Sequence, residues 1–328
     1  MSPSPPPLAL PDHAPAALVS TRLGPVELAS HGDGAPALYL HGAMGGHDQS
    51  WLLARTLGRP GDRHLALSRP GYLGTPLRSG YSFEAQADLY ASLLDALGLE
   101  RAVVFAVSGG GPSALHFAAR HPDRCRALVL ASTPGGPMRA RPPWSFALTS
   151  QLLRWRWFAA KAQARIARDP DAAAARSIAD PELRARTLAD PEAGPLLRAL
   201  LASTLDRAGE RLPGTRRDIA LTRAATYPLE AIAAPTLVIH GTIDPLLPAA
   251  EHGAVLAARI PGAERCVADG GEHVAIFTHR AAIRAQVHAF LARAWSPRRP
   301  RPARPAATPP ERGGANRRVK PARGGRRI

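Results

Sequence analysis

Cysteine is scarce in this sequence. The 328 residues include only two, Cys125 and Cys266, which lie far apart and without the short spacing of a zinc site. This scarcity excludes a disulfide framework and a cysteine-based metal centre. We therefore expect two reduced thiols, and we expect neither a metal ion nor an organic cofactor.

Long apolar runs are also missing. No segment approaches the roughly 18 consecutive apolar residues of a membrane span, although a hydrophobic content of 45% is ordinary for a folded globular protein. The first residues, MSPSPPPLALPDHAP, have no basic start and no uninterrupted apolar stretch, which argues against a secretory signal. We expect a cytoplasmic protein that has no membrane partner.

Acidic residues are outnumbered by basic ones, 26 to 42, and the net charge is +16. Residues 296–328 hold eleven of the Lys and Arg residues against a single acid, Glu311, and so contribute +10 of that charge. The remaining charge is dispersed, which argues against a nucleic-acid-binding surface on the body of the protein. The tail is rich in Pro, Gly and Arg and is predicted to be disordered. We interpret it as an incidental extension; the alternative is weak, non-specific contact with polyanions such as nucleic acid.

One stretch organises the rest of the chain: residues 102–120, AVVFAVSGGGPSALHFAAR. A valine-rich run of strand length stops at Ser108, and from Pro112 apolar residues recur at helical spacing. A serine between a buried strand and a helix sits on a tight, strained corner that exposes its hydroxyl. Such a corner needs small residues two positions before and after the serine, and Ala106 and Gly110 meet that need. The usual pattern is Gly-x-Ser-x-Gly, so Ala106 is a departure, and a flexible turn is the alternative interpretation.

Apolar runs and helical patterns alternate over much of the chain, with short connections between them. Strands are predicted at residues 19–23, 26–30, 37–40, 64–67, 102–107, 127–131, 235–240 and 263–267. The first two would form an edge hairpin. Asp48 is predicted to cap the helix that follows it, and Gly98 to end the helix at 82–97. The fold class is α/β, with a mostly parallel, doubly wound sheet.

Residues 134–230 have no convincing strand pattern and are broken by Asp-Pro pairs at Asp169, Asp180 and Asp190. We predict an all-helical insertion at 134–230, a core formed by 17–133 and 231–295, a disordered lead at 1–16 and a disordered basic tail at 296–328. Aromatic residues concentrate near the start of the insertion, where they could either roof an apolar pocket or pack the insertion onto the core: Trp144, Phe146, Trp155, Trp157 and Phe158.

A reactive serine needs a base that takes its proton and a carboxylate that holds the base in one tautomer. Both must lie beyond strand ends, at the same edge of the sheet as Ser108. His273 follows the last strand in a glycine-flanked loop and is the favoured base, whereas His240 is interpreted as structural. Asp244 follows the preceding strand and is the favoured acid; its rival is Asp269, on the same loop as His273.

The loop after the strand at 37–40 reads HGAMGG. A glycine-rich loop at a strand end leaves backbone amides unpaired, and such amides suit an oxyanion hole. We interpret the side chain of His41 as packing beneath this loop. The later segment SRPGYLGTP is predicted to be a rigid, architectural turn.

The segments LYLHGAMGG, SRPGYLGTP, VFAVSGGGPSALHFAARHPDR, PTLVIHGTID and DGGEHV give the chain a resemblance to the α/β-hydrolase family over about residues 19–295. The resemblance implies that Ser108 is the nucleophile, Asp244 the acid and His273 the base. It further implies that the amides of Gly109 and Ala43 form the oxyanion hole, with Met44 as the alternative second donor. The helical insertion stands where the family has its cap.

The resemblance implies a serine hydrolase that cleaves a small or medium, apolar carboxylic ester, so the expected partner is a small-molecule substrate. Epoxide hydrolases and haloalkane dehalogenases resemble this sheet but use aspartate as nucleophile, and aminopeptidases of this fold usually carry HGGPG at the oxyanion loop. A carbon–carbon bond hydrolase or a cofactor-free perhydrolase would use the same triad. An alternative from another class is a non-catalytic ligand-binding or anchoring module with a polyanion-binding tail. No oligomeric state is predicted.

Overall fold

A computed structural model of the protein describes residues 15–138 and 156–295. Nearly all of the predicted lead, the whole predicted basic tail, and Trp144, Phe146 and Trp155 lie outside the described residues.

The centre of the fold is an eight-stranded sheet in the order β1-β2-β4-β3-β5-β6-β7-β8. The β1–β2 and β2–β4 pairs are antiparallel and all other neighbours are parallel. This confirms both the mostly parallel sheet and the edge hairpin predicted from the sequence. The strands are β1 Ala17–Thr21, β2 Gly24–His31, β3 Pro36–Leu40, β4 Arg63–Leu67, β5 Ala102–Val107, β6 Cys125–Ala131, β7 Thr236–Gly241 and β8 Glu264–Ala268.

Helices connect the parallel strands and cover both faces of the sheet. Within the described residues they are α1 His47–Leu57, α2 Phe83–Ala96, α3 Gly111–Arg120, α4 Arg156–Arg168, α5 Pro170–Ala174, α6 Pro181–Ala189, α7 Ala193–Leu205, α8 Ala208–Thr222, α9 Gly253–Arg259, α10 Ala275–Thr278 and α11 Arg280–Trp295. The longest, α11, has 16 residues. Among these helices, none combines the length and the apolar character that crossing a lipid bilayer requires.

Alternate strand side chains build two apolar layers, one on each face of the sheet. On one face the rings of Tyr39 and Phe105 stack 4.7 Å apart, beside α1 and α11. On the other face Val104 and Leu130 pack with α2 and α3. Because strands buried on both faces need apolar residues at every position, they read as continuous apolar runs in the sequence.

The ends of α2 agree with the sequence prediction. The Ser82 hydroxyl accepts a hydrogen bond from the Ala85 amide at the N-terminus. Gly98 follows the last turn at φ +65°, and the amides of Gly98 and Leu99 donate to the carbonyls of Asp95 and Leu94. This is a Schellman cap, whose left-handed position favours glycine.

The prediction that Asp48 caps α1 is wrong. The helix begins one residue earlier than Asp48, after Gly46, and no side chain caps its amides. Both oxygens of the buried Asp48 carboxylate instead accept hydrogen bonds from the Arg211 guanidinium, at 3.0 and 2.7 Å. An acidic side chain in the first turn also suits the positive end of the helix dipole.

Five helices, α4 to α8, fill the described residues between β6 and β7, and no strand occurs among them. We call residues 156–222 the helical segment. Two of the predicted Asp-Pro breaks are helix starts, because Asp169 and Asp180 cap α5 and α6 with proline at the first helical position. The boundaries 134–230 of a separate cap stay a prediction.

Helix α8 is fixed to the sheet side of the molecule by two buried ion pairs. Arg211 binds Asp48, as described above, and Asp218 accepts a hydrogen bond from Arg69 in the turn after β4. The Gly214 amide also donates to the Gly71 carbonyl at 2.8 Å. A side chain at Gly214 would overlap the Tyr72 ring, at 2.3 Å, so glycine is required for this close approach. The SRPGYLGTP segment thus makes the structural contacts expected of a rigid turn.

Glu27 of β2 ties the same turn to the edge of the sheet. Its Oε2 accepts hydrogen bonds from the Ser68 hydroxyl at 2.6 Å and the Gly74 amide at 3.0 Å, and lies 3.1 Å from Nδ1 of His47. Burial raises the pKa of Glu27, but the interactions with His47, Ser68 and the Gly74 amide outweigh burial and hold the pKa at about 2. The carboxylate is therefore a structural anion.

Cys125 and Cys266 are both free and buried. Burial raises the pKa of the Cys125 thiol to about 12 and that of Cys266 to about 11. Since the thiolate is the reactive form, both cysteines are inert at neutral pH.

Candidate active site

Ser108 stands on the strained corner that the sequence predicts. Its φ of +50° lies in the left-handed region, which is unusual for a residue other than glycine. A Cβ at Gly110 would lie 2.5 Å from the Leu40 carbonyl oxygen and 2.6 Å from that of His41, so only glycine fits there. Ala106, the departure from the usual pattern, is fully buried in the sheet. The corner therefore tolerates a methyl group before the serine but not after it.

The structure brings Ser108, His273 and Asp244 together from three separate loops. Nε2 of His273 lies 3.0 Å from the Ser108 hydroxyl oxygen, and Nδ1 of His273 lies 2.8 Å from Oδ2 of Asp244. The loops follow β5, β7 and β8, whose carboxyl ends share one edge of the sheet. The three side chains form one hydrogen-bonded chain with the geometry of a nucleophile, a base and an orienting acid.

The carboxylate of Asp244 is buried and fully engaged. Its Oδ1 accepts hydrogen bonds from the amides of Leu246 and Leu247, at 2.9 and 3.0 Å, and its Oδ2 faces His273. Burial raises the pKa of Asp244, but the hydrogen bond and charge of His273, together with the two amides, lower it below the ordinary value. An ionised Asp244 can hold a proton on Nδ1 of His273 and leave Nε2 free to accept one.

A fourth residue, Ser132, holds the His273 loop. Its hydroxyl donates a 2.9 Å hydrogen bond to the His273 carbonyl, and its own φ is +44°. From the sequence alone, the loop at residues 132–137, STPGGP, is not assigned to the site because it contains no carboxylate. The Ser132 loop follows β6, which lies in the sheet between β5, the strand before Ser108, and β7, the strand before Asp244. This position beside the site is the signal that could have identified Ser132.

The rival residues make other contacts, although His240 lies near the acid, with its Nε2 3.6 Å from Oδ2 of Asp244. Nε2 of His240 lies 2.7 Å from the Leu247 carbonyl, and the ring is buried beneath the acid loop. Asp269 is exposed and accepts a 3.3 Å hydrogen bond from the Thr242 hydroxyl. His41 is fully buried, with Nε2 accepting from the Arg69 amide at 2.9 Å. Burial, together with the charge of Arg69, lowers the pKa of His41 well below its ordinary value, so this ring is neutral.

Two backbone amides beside Ser108 are candidate oxyanion donors. Ala43 and Gly109 face one another across the site, because a Cβ on Gly109 would lie 3.4 Å from the Ala43 nitrogen. Met44, the alternative donor, already gives its amide proton to the Thr215 hydroxyl at 2.9 Å. Among the described residues, no hydrogen bond engages the Ala43 amide. The geometry therefore favours Ala43 over Met44 as the partner of Gly109.

A buried polar cluster lies directly behind Gly109. The Cβ position of Gly109 is 3.8 Å from both Nη2 of Arg69 and Oδ2 of Asp218. The Tyr72 hydroxyl donates to the same Asp218 oxygen at 2.6 Å. This cluster joins the turn after β4 to α8 and lies beneath the Gly109 amide, one of the two candidate oxyanion donors.

Ser108 and His273 line a cavity of about 500 Å³, which is within the usual range for small-molecule sites. Its walls are mainly aliphatic and come from both the sheet side and the helical segment: Leu52, Leu53, Val107, Ile166, Leu200 and Leu201. Of the aromatic residues that could roof the pocket or pack the insertion onto the core, two lie in the part of the chain that the structure describes. Trp157 is 60% exposed, and Phe158 packs against Ala208, as do Met44 and Leu205.

A family model described as the alpha/beta hydrolase fold matches residues 36–280, about three quarters of the chain. The chain belongs to the α/β-hydrolase family. The family membership and the hydrolase class predicted from the sequence are thereby confirmed.

Known α/β-hydrolases and related proteins resemble the chain over most of its length. An alpha/beta hydrolase fold protein from Nakamurella multipartita has 34% sequence identity and a TM-score of 0.75, and the match covers 85% of this chain and 99% of that one. A poly(3-hydroxyalkanoate) depolymerase of Ectopseudomonas oleovorans is 32% identical over 69% of this chain and 74% of its own length. A pimeloyl-[acyl-carrier protein] methyl ester esterase of Aromatoleum aromaticum is 31% identical over 74% and 93%. Another curated relative is matched over only 51% of its length.

Proposed function

We propose that the protein is a serine hydrolase that cleaves a small or medium carboxylic ester through an acyl-enzyme on Ser108. The observation that carries the proposal is the 3.0 Å contact between Nε2 of His273 and the Ser108 hydroxyl, with Nδ1 of His273 2.8 Å from buried Asp244. A base in hydrogen-bond reach of a hydroxyl, itself oriented by a carboxylate, is the arrangement that activates a serine.

In the first half of the reaction, the Ser108 oxygen attacks the ester carbonyl while Nε2 of His273 takes the hydroxyl proton. The negative charge of Asp244 stabilises the imidazolium that forms. The amides of Ala43 and Gly109 donate hydrogen bonds to the developing oxyanion, and such donors act in the transition state more than in the ground state. His273 then gives its proton to the leaving alkoxide, and the alcohol departs.

In the second half, water replaces the alcohol. His273 removes a proton from the water as it attacks the acyl carbonyl, and the same two amides hold the second oxyanion. The proton then returns from His273 to the Ser108 oxygen, which leaves as the carboxylic acid is released. No cofactor enters either step.

The aliphatic cavity supports a substrate with an apolar body, and the helical segment, as the proposed cap, supplies a large part of its wall. Carbon–carbon bond and peracid chemistry would use the same three side chains. An ester is favoured because one relative similar over 74% of this chain is, by its name, a methyl ester esterase.

The test compares purified wild type with Ser108→Ala in the hydrolysis of p-nitrophenyl butyrate and in labelling by a fluorophosphonate probe. We expect Ser108→Ala to lose at least a thousandfold in kcat and to lose all labelling, because the nucleophile is absent. Ser177→Ala is the matched control, since Ser177 lines the same cavity but contacts none of the three side chains. It should be labelled like wild type.

Two results would contradict the proposal. Near-wild-type turnover by Ser108→Ala would remove the nucleophile assignment. Absence of both labelling and turnover in the wild type would favour the non-catalytic binding module that the sequence also allows.

A further inference from the structure

The catalytic cavity has a charged rim on the side of α4 and α5. Arg165, Asp169 and Arg176 line the cavity and are exposed to solvent. The rest of the lining includes Leu52 and Ile276, which are buried and apolar. A ligand that reaches from Ser108 to this rim would pass from an aliphatic environment to a cationic one.

Some arginines of the helical segment have carboxylate partners, whereas others, including the two rim arginines, have none among the described residues. Arg184 pairs with Asp171 at 2.8 Å, and Arg211 pairs with Asp48 at 2.7 Å. Over residues 15–138 and 156–295, no carboxylate oxygen lies within 4.0 Å of a guanidinium nitrogen of Arg165 or Arg176. Residues 139–155, between β6 and α4, contain no Asp or Glu that could pair with them.

The single carboxylate on this rim, among the residues described, is already engaged. Oδ1 of Asp169 accepts a 2.9 Å hydrogen bond from the Ala172 amide and caps α5. Among the described residues, the rim therefore carries two guanidinium groups without a carboxylate partner and one carboxylate that caps a helix. A guanidinium presents a planar pair of N–H donors that matches a carboxylate or a phosphate.

This inference rests on the proposed ester hydrolysis. We propose that Arg165 and Arg176 form an anion subsite, and that the preferred substrate is an ester with an anionic group at the far end of an apolar chain. The apolar chain lies against Ile166, Leu200 and Leu201, which line the cavity between the sheet side and the rim. The anionic group stays at the solvent-exposed rim, so its desolvation is incomplete and its cost is small.

The test measures kcat/KM for monomethyl suberate and for methyl octanoate, which have the same chain length and differ in the distal carboxylate. Wild type should prefer monomethyl suberate about tenfold, which corresponds to about 1.4 kcal/mol. In the Arg165→Gln/Arg176→Gln variant the ratio of the two kcat/KM values should fall to about one. The control variant Arg168→Gln/Arg186→Gln loses the same charge at exposed positions outside the cavity lining and should keep the tenfold ratio.

A binding measurement separates this inference from the proposed function. Calorimetry on Ser108→Ala should show monomethyl suberate binding about tenfold more tightly than methyl octanoate, and this difference should vanish when Arg165 and Arg176 are also replaced by Gln. If no ester is hydrolysed but this binding difference holds, the hydrolase proposal fails and the anion subsite stands. If esters are hydrolysed without preference and the two esters bind equally, the subsite is overturned. Competition by inorganic phosphate but not by suberate would assign the subsite to phosphate groups.

Discussion

The Met44 amide donates a 2.9 Å hydrogen bond to the hydroxyl of Thr215, a residue 171 positions later in the chain. Met44 has a φ of +55°, so the peptide after Ala43 is held in a conformation that L-residues avoid. Thr215 lies in α8, which Arg211 and Asp218 fix to the sheet side. One hydrogen bond thus sets the orientation of the loop that carries the proposed Ala43 donor.

Replacing Thr215 with Val should lower kcat for p-nitrophenyl butyrate about tenfold and leave KM nearly unchanged. Loss of a whole oxyanion donor costs 10²–10³ in kcat, and a misdirected Ala43 amide should cost part of that. Thr215→Ser should restore kcat because it keeps the hydroxyl. Thr222→Val is the matched control, since Thr222 donates the same kind of hydrogen bond within α8 but has no contact with Met44. Equal kcat in both Val variants would show that Thr215 has no positioning role.

Replacing Asp244 with Asn should lower kcat by roughly 10⁴, because the amide favours the wrong tautomer of His273 and cannot stabilise the imidazolium. The replaced group is nearly isosteric, so the melting temperature serves as a check that the fold is intact. Asp269→Asn is the comparison, because Asp269 lies on the His273 loop and faces Thr242 instead. A large loss of kcat in Asp269→Asn with only a small loss in Asp244→Asn would assign the role of the acid to Asp269 instead.

Replacing Gly110 with Ala should destabilise the protein, because the added methyl would lie 2.5 Å from the Leu40 carbonyl oxygen. Overpacking in a tight interior typically costs 1–3 kcal/mol. Thermal unfolding should therefore show a melting temperature several degrees below wild type. Gly136→Ala is a suitable control, since no atom lies within 4 Å of its Cβ position. An unchanged melting temperature in Gly110→Ala would mean that the corner is looser than the contacts indicate.

Glu27 should make unfolding depend on pH in the acidic range. Its folded pKa of about 2 is below the ordinary 4.5, so the folded protein holds the proton less tightly than the unfolded chain does. The stabilisation is therefore fully present above about pH 4.5 and is lost as the pH falls towards 2. Its size is about 3 kcal/mol of unfolding free energy.

Urea unfolding of wild type and Glu27→Gln, measured from pH 7 to pH 2.5, checks this expectation. The difference in unfolding free energy between the two proteins should be largest at pH 7 and should decrease steadily below pH 4.5. Glu264→Gln provides the control, because Glu264 pairs with Arg293 at the surface and exposed pairs contribute at most about 1 kcal/mol. A difference in unfolding free energy that stays constant with pH would show that Glu27 is not the source of the pH dependence.

The sheet could be predicted from the sequence because buried parallel strands are continuous apolar runs. β5 lies at Ala102–Val107, as predicted, and β7 begins one residue later than predicted. Ser108, Asp244 and His273 could be predicted to form one site because the loops after parallel strands meet at one edge of the sheet. The exposed edge strand β1 begins two residues earlier than its predicted start, since an edge strand carries a weaker apolar pattern.

Contacts between distant segments could not be predicted. Asp48 has the side chain of a helix cap, but its partner Arg211 is 163 residues away, and no local pattern indicates such a pair. Ser132 and Thr215 were missed for the same reason as Arg211: their roles depend on which loops and helices become neighbours.

Because α8 forms two buried ion pairs, its sequence should vary less than the sequences of α4 to α7. Since α8 shares charged partners with α1 and with the turn after β4, exchanging it would leave Asp48 and Arg69 as buried, unbalanced ions. Helices α4 to α7 have no such buried partner pair with the sheet side among the described residues, yet they supply much of the cavity wall. In evolution and in laboratory chimeras, α8 should therefore be retained together with the sheet, and any exchanged helices should come from the part of the helical segment before α8.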